Sequence, residues 1–182
     1  MAFTLEALII FLVRVAGSLP VLRWAFAGAL IAILVDFSDL FQKNLIHLGG
    51  VGEYQEFDKW ADLVYMVAFL YVALRWDGVK RNVAVGLFAF RIIGMVAFEI
   101  TTSRTVLIAF PNLFEFWFVF VAALQHWWPH YVLTRFRLAG WLIVLLALKM
   151  LQEYSLHGAQ WLDNYVATEV VADWWNFLTG WI

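Results

Sequence analysis

The stretch NVAVGLFAFRIIGMVAFEI, residues 82–100, is the clearest indication of the fold class in the sequence. It is almost entirely apolar, with Arg91 in its interior and Glu99 near its end. About 20 residues of this kind form a helix long enough to cross the hydrocarbon core of a bilayer. The stretch therefore predicts a membrane-spanning helix.

The same rule divides most of the chain into segments of similar length. The chain has 182 residues, of which 64% are hydrophobic and 14% charged, against roughly half apolar in a soluble domain. We therefore predict an all-α polytopic membrane protein, forming a single domain over residues 1–182. The predicted spans are about residues 3–18, 21–41, 58–76, 82–100, 105–128 and 132–154.

Three further features refine this prediction. The tail, residues 160–182, mixes three acids with aromatic residues and Val, which is typical of an amphipathic helix lying in the membrane interface. The aromatic run FEFWFVF, residues 114–120, is expected to be chiefly a lipid-facing and packing surface. Pro111 either kinks the fifth span or forms its first turn, because proline is favoured at the start of a helix.

Orientation follows from the distribution of Lys and Arg, which are enriched on the cytoplasmic side of membrane proteins. The bias predicts a multi-pass protein of the cell membrane with both termini outside the cytoplasm. The predicted cytoplasmic side holds Arg14, Arg23, Arg75, Lys80, Arg81, Arg135 and Arg137, and the opposite side holds Lys43, Lys59, Arg104 and the nearby Lys149.

Four aspartates form the most conspicuous polar pattern. Asp36 and Asp39 are three residues apart at the end of the second span, and Asp58 and Asp62 are four apart at the start of the third. Each spacing places two carboxylates on one helix face. Neighbouring helices would bring all four together, where they need a proton or a hard divalent cation such as Mg²⁺ or Ca²⁺. The alternative is that Asp39 and Asp58 are solvated helix ends, with Asp36 and Asp62 about a turn deeper.

The aspartate pattern resembles that of the CDP-alcohol phosphotransferases, six-helix membrane enzymes with the signature D-x2-D-G-x2-A-R, about eight residues, then G-x3-D-x3-D. The resemblance covers about residues 20–95. It implies that Asp36, Asp39, Asp58 and Asp62 hold divalent metals that bind the pyrophosphate of a CDP-lipid, one of them activating the acceptor hydroxyl. It also places Arg91 in the fourth helix, where some members of that family carry an arginine.

The rest of the signature differs from this sequence. Leu40 and Tyr54 stand where the family has glycine, and Lys43 and Asn44 stand where it has Ala-Arg. Those glycines and that arginine bind the nucleotide and phosphate in the family, so the resemblance implies a degraded cytidine site. More loosely, the chain also resembles bacterial multi-pass membrane proteins of no known function.

Arg91 and Glu115 form a second candidate constellation inside the membrane. A charge at membrane depth is costly, so each residue is expected to face the bundle interior and to find a partner. If the fifth span begins near residue 105, the two lie at similar depth and form an intramembrane charge pair. That pair is either a buried ion pair that sets helix register, which we favour, a proton or ion relay, or an anchor for an anionic ligand.

The functional prediction is a non-catalytic integral membrane protein, either an accessory or assembly subunit or a scaffold that binds lipid or a small ligand. We assign no catalytic residue, and the sequence favours this role over an enzyme. Two alternatives stay open: a metal-dependent lipid enzyme like the CDP-alcohol phosphotransferases, and a small transporter or ion-conducting protein coupled by Arg91 and Glu115.

The expected partners are the lipid bilayer and further copies or subunits of a membrane complex. Nothing in the composition indicates a nucleic-acid partner. The chain contains no Cys, which excludes disulfides, thiolate nucleophiles and cysteine-based metal sites.

Overall fold

The helical prediction is confirmed by a computed structural model, which describes residues 5–45, 54–102, 106, 109–153, 175–176 and 179–180. In these ranges the chain forms α-helices and no strand. Each helix overlaps one of the six segments predicted from the sequence. The helices are α1 (Leu5–Ser18), α2 (Ala25–Leu45), α3 (Tyr54–Ala73), α4 (Gly78–Thr101), α5 (Leu113–Trp127) and α6 (Arg135–Glu153).

Most of the predicted interfacial tail, residues 160–182, lies outside the described residues. Within it, residues 175, 176 and 179 are helical. The Thr179 hydroxyl donates a hydrogen bond to the Trp175 carbonyl at 2.7 Å. The prediction of an interfacial helix stays a prediction for the rest of the tail.

A tight turn joins α1 to α2. It is a single stretch of 3₁₀-helix, Leu19–Leu22, with Pro20 in its first positions, where the missing proline N–H costs nothing. The Pro20 carbonyl accepts the backbone N–H groups of Arg23 and Trp24 at 3.1 and 2.9 Å. A Cβ on Gly28 would lie 2.2 Å from the Val21 nitrogen, so glycine is required for the turn to pack closely on α2.

α5 forms the centre of the bundle, with α2, α3, α4 and α6 packed against it. The Phe118 ring stacks on Phe69 of α3 and on Trp76 in the turn after α3, with ring centroids 4.2 and 5.0 Å away. Phe114 and Trp117 are also fully buried. Phe114, Trp117 and Phe118 of the aromatic run at 114–120 are therefore core, while Phe116, Val119 and Phe120 are partly buried. Burial of the large rings is a major source of the packing free energy.

Pro111 lies just before α5. Asn112 is the residue that caps the helix and Leu113 is its first helical residue, so Pro111 neither kinks a continuous helix nor forms its first turn. Proline has no N–H for the preceding helical ladder, and it disfavours helical geometry at the residue before it. The backbone therefore breaks at residues 110–112.

α4 is the described helix that is long and apolar enough to cross a membrane. Only 22% of its most apolar 18-residue window is buried, whereas the core helix of a soluble protein is mostly buried. Ile93 and Ile100 on this helix are 58% and 79% exposed. Shorter apolar helical stretches occupy residues 7–22, 25–38, 62–73 and 113–127.

Candidate functional site

Three charged side chains meet where α1, α2 and α3 pack together. A single nitrogen of Arg14, Nη1, lies 2.9 Å from Asp36 Oδ1 and 2.9 Å from Asp62 Oδ1. Arg14 is 4% exposed, while the side chains of Asp36 and Asp62 are 31% and 18% exposed. We call Arg14, Asp36 and Asp62 the charged triad.

The charged triad shows what brings two of the four predicted aspartates together. Like charges at close range need a compensating positive charge, and Arg14 supplies it from the neighbouring helix. The triad therefore links three helices through one guanidinium group. Removing the cation from such a buried arrangement is strongly unfavourable, because the carboxylates then lose their partner.

The structure describes the side chains of two of the four predicted metal ligands, Asp36 and Asp62. The side chains of Asp39 and Asp58 lie outside those that the structure describes. Among the described side chains, no group of three His, Asp or Glu residues is placed to hold a metal ion. A divalent cation bound by Asp36, Asp39, Asp58 and Asp62 stays a prediction, and its ligands would include two carboxylates already in contact with Arg14.

Arg14 is the site residue that the sequence reasoning missed. The Lys and Arg distribution that predicts the orientation includes Arg14 as a charge at the membrane surface. That placement is wrong, because Arg14 lies buried inside α1. The burial of Arg14 is indicated by its spacing from two apolar residues of α1. Ala7, Ile10 and Arg14 are separated by three and four residues, which places them on one helix face, and all three are buried.

A second polar group is built around Tyr65 of α3 and the start of α5. The Tyr65 hydroxyl donates to Glu115 Oε2 at 3.3 Å and accepts a hydrogen bond from Asn112 Nδ2 at 3.1 Å. Asn112 Nδ2 also lies 3.2 Å from Glu115 Oε2. Tyr65 and Asn112 are 5% and 4% exposed. We call these three residues the tyrosine cluster.

The tyrosine cluster adjoins the charged triad. Tyr65 follows Asp62 by three residues, so both side chains lie on one face of α3. The Tyr65 hydroxyl is within electrostatic range of Glu115, Asp62, Asp36 and Arg91. Charged side chains from four helices, α2 to α5, therefore lie around one buried hydroxyl group.

Arg91 lies at the backbone break that precedes α5. Its Nη1 donates a hydrogen bond to the Phe110 carbonyl at 3.0 Å. A Cβ on Gly94 would lie 2.3 Å from the Phe110 Cβ, so the break is pressed closely against α4. Carbonyl groups released from a helical ladder must find a donor when they are buried, and Arg91 provides one.

The structure shows a separate contact for each residue of the predicted Arg91–Glu115 charge pair. Arg91 contacts residue 110 on one side of Pro111, and Glu115 contacts Asn112 on the other side. Both residues are thus placed at the same backbone break. A direct ion pair between them stays a prediction.

A cleft of about 440 Å³ opens between α2, α5 and α6. Its volume falls within the range of small-molecule sites in proteins. Two polar residues, Glu115 and Gln152, contribute to the lining. The apolar part of the wall comes from Ile33, Phe37, Phe116, Val119, Phe120 and Leu145.

The polar residues lie together at one end of the cleft. α5 and α6 are antiparallel. The ring centroids of Phe120 and Trp141 are 4.7 Å apart, and Lys149 Nζ lies 5.6 Å from the centroid of the Phe116 ring. Glu115 in the first turn of α5 therefore lies level with the last turns of α6. There the buried Lys149 donates from Nζ to Gln152 Oε1 at 2.9 Å.

Comparisons with models of known protein families, with curated proteins and with solved structures found no match to this chain. The functional argument therefore depends on the charged triad, the tyrosine cluster and the cleft. The first two hold helices together through buried polar contacts. The cleft provides a predominantly apolar volume, which suits an apolar ligand.

Proposed function

We propose that this chain is a non-catalytic integral membrane protein that acts as a scaffold, binding lipid or a small apolar ligand or holding partner subunits. The observation that carries the proposal is the contact of both Asp36 and Asp62 with Arg14 at 2.9 Å. Carboxylates engaged in this way stabilise packing between helices. A metal-dependent enzyme would need the same groups to turn towards a cation.

The proposal includes six membrane spans formed by α1 to α6. It is supported by large apolar side chains that point away from the bundle on several helices, such as Leu34, Ile93 and Ile143, which are 68%, 58% and 68% exposed. Exposed apolar area on this scale marks contact with a membrane or a partner protein. Lipid or a second subunit would cover it.

The proposed orientation keeps both termini and the aspartates outside the cytoplasm. Arg14 and Lys149 are buried in helices, which removes one charge from each side of the Lys and Arg count and leaves the direction of the bias unchanged. A reporter fused after residue 182 tests this orientation. A cytoplasmic C-terminus would reverse it.

A cation titration separates the scaffold from the metal-dependent enzyme. Mg²⁺ or Ca²⁺ is added to the purified protein in detergent, and the thermal unfolding midpoint is measured for the native chain and for Asp36→Asn and Asp62→Asn. Ligands that bind the folded state raise this midpoint. We expect no rise, because Arg14 already compensates these carboxylates.

The opposite result has a distinct signature. A midpoint that rises with Mg²⁺ in the native chain, and does not rise in either asparagine variant, would show that the carboxylates bind the metal. That outcome would favour the enzyme resembling the CDP-alcohol phosphotransferases and contradict the scaffold.

A small proton- or ion-conducting protein is the second candidate. It is favoured by the adjacency of the charged triad and the tyrosine cluster, and by two buried atoms, Arg91 Nε and Asn112 Oδ1, that have no hydrogen-bond partner in the described part of the chain. Proton flux into liposomes that is lost in Tyr65→Phe, but kept in the exposed control Tyr71→Phe, would select this candidate over the scaffold.

A further inference from the structure

Three helix connections lie together at one end of the bundle: α1 to α2, α3 to α4, and α5 to α6. The turn Leu19–Leu22 packs against α3, and Val21 in this turn shares a buried apolar cluster with Ala73 at the end of that helix. At the start of α2, Phe26 lies edge-on to Trp127 at the end of α5, with ring centroids 4.6 Å apart. The three connections therefore share one face of the molecule.

This face is strongly basic. Residues 19–27, 71–82 and 126–138, all within the described part of the chain, contain six Lys and Arg residues and one acid, the exposed Asp77. We call the six cations the basic end; they are Arg23, Arg75, Lys80, Arg81, Arg135 and Arg137. Charges of one sign gathered on a surface raise the local concentration of the opposite charge. The basic end is therefore expected to attract anions.

Most of these cations are available to a partner. Among the described residues, no hydrogen bond or ion pair engages the side chains of Arg23, Lys80, Arg81 and Arg135. The other two guanidinium groups lie over tyrosine rings, Arg75 at 4.5 Å from the Tyr71 centroid and Arg137 at 5.2 Å from that of Tyr131. Arg137 also donates from Nη1 to the Val132 carbonyl at 3.2 Å. A guanidinium has five N–H donors, so both groups keep donors for an anion.

Large exposed aromatic rings border the basic end. Trp24, Trp127 and Trp128 are each more than half exposed, and Phe136, next to Arg135, is almost fully exposed. Tryptophan in membrane proteins is enriched at the level of the lipid headgroups, where one part of the ring meets hydrocarbon and another meets water. A free anion would leave these rings in water, whereas a lipid places hydrocarbon beside them. Cations and rings together favour a lipid headgroup as the anion.

We propose that the basic end binds the headgroups of anionic phospholipids. Their phosphate oxygens accept charge-assisted hydrogen bonds from guanidinium and ammonium groups, and such bonds are the strong ones. This inference deepens the proposed scaffold function and rests on it, because it names a lipid class and the surface that binds it. In the proposed orientation the basic end faces the cytoplasmic leaflet, whose anionic lipids attract Lys and Arg.

Lipid retention measured by native mass spectrometry tests the proposal. The full chain is purified in detergent and mixed with phosphatidylglycerol or phosphatidylcholine that carry the same acyl chains. Both headgroups contain a phosphate, but only phosphatidylglycerol has a net negative charge. We expect phosphatidylglycerol to bind about tenfold more tightly. The preference should shrink when the salt concentration rises from about 0.05 to about 0.5 M, because salt screens exposed charges.

Three variants locate the site. The triple change Lys80→Gln, Arg81→Gln and Arg135→Gln removes three of the unpaired cations, so the two lipids should bind within about twofold of each other. Asp77→Asn removes the acid beside the basic end and should raise the preference for phosphatidylglycerol by about two- to fivefold. Glu99→Gln is the matched control, because it makes the same change in net charge near the opposite end of α4 and should leave the preference unchanged.

The thermal unfolding midpoint of each variant shows whether it is folded. Equal retention of the two lipids by the native chain would overturn the proposal, and so would a preference that survives in the folded triple variant. Binding of polyglutamate without any preference for phosphatidylglycerol would also overturn it, and would assign the basic end to an acidic protein partner.

Failure of the scaffold itself is read separately, from a Mg²⁺-dependent rise in the unfolding midpoint that requires Asp36 and Asp62. The lipid preference in detergent does not depend on how the chain is oriented in a membrane, so the reporter after residue 182 is also an independent test. The failures are therefore distinguishable.

Discussion

Arg14 is a cation placed among apolar neighbours on the inner face of α1, and its position follows from its two acidic partners. Its guanidinium carries a planar set of N–H donors that remains charged at all ordinary pH values. One of its nitrogens contacts both Asp36 and Asp62. At the scale of single residues, this shared contact explains why the carboxylates of Asp36 and Asp62, from different helices, lie side by side.

Replacing Arg14 tests this role. Arg14→Met keeps much of the side-chain volume but leaves two carboxylates without their cation, so we expect the free energy of unfolding to fall by about 3–5 kcal/mol. Arg14→Lys keeps the charge without the planar donors and should lose less. Unfolding in mixed SDS and detergent micelles measures both.

Arg23→Met is the matched control. Arg23 is exposed, and the bond it gives to Pro20 comes from its backbone, so this change should stay within about 0.5 kcal/mol. A loss of stability as large as that of Arg14→Met would mean that the triad has no special role.

At the scale of elements, α5 begins at the level of the middle of α4 instead of at the end of that helix. Phe110, just before the break, lies against Gly94 and is bonded by Arg91. Irregular backbone at membrane depth is tolerated where it is buried in protein. The break at Pro111 is stabilised by the hydrogen bond from Arg91, by the close approach that Gly94 allows and by the polar contacts of Asn112.

The close approach at Gly94 gives a prediction for α4. Gly94→Ala forces a methyl group to within 2.3 Å of the Phe110 Cβ, so α4 and the break must separate and the Arg91 bond must lengthen. We expect a loss of about 1–3 kcal/mol in the free energy of unfolding. The measurement is the same micelle unfolding assay.

Gly86→Ala on the same helix is the control. A Cβ there meets nothing within 4 Å, and alanine is the better helix former by up to about 1 kcal/mol. This variant should be as stable as the native chain or more stable. If Gly94→Ala behaved in the same way, the tight packing at the break would be disproved.

At the scale of the whole molecule, apolar side chains lie on the outside of the described helices as well as in their core. The core of α5 is aromatic and buried, yet much of the outward face of α4 and α6 is also apolar. Lys149 on α6 is among the few charged side chains that are buried. This distribution is the one that the proposed membrane location requires, because lipid would cover the apolar exterior.

A charge on the exterior of α4 tests the environment of the molecule. Ile93→Lys places an ammonium on an exposed position, which a soluble protein would tolerate. In a bilayer a lysine near the helix centre costs about 2.5–3.5 kcal/mol. We expect reduced membrane integration, measured by alkaline extraction of membranes. Val79→Lys, in the first turn of α4, should integrate normally, and normal integration of both variants would argue against a spanning α4.

Much of the fold was accessible from the sequence because apolar length and proline positions act locally. The stretch at 82–100 predicted α4, and the segments on either side predicted helices close to their observed bounds. The gap between the predicted spans 3–18 and 21–41 also agrees with the turn at Leu19–Leu22. The start of α5 was not, because whether Pro111 kinks a helix or precedes one depends on packing against Gly94 and the donor from Arg91.

The candidate site divides in the same way. The residue pattern alone predicts a helical, apolar chain and identifies Asp36, Asp62, Arg91 and Glu115 as polar residues that need partners. Only the tertiary structure decided that Arg14 is the partner of both aspartates and that Tyr65 and Asn112 contact Glu115. The physical reason is that helix periodicity determines which face a residue occupies, whereas the packing of distant helices determines which charges come within bonding distance.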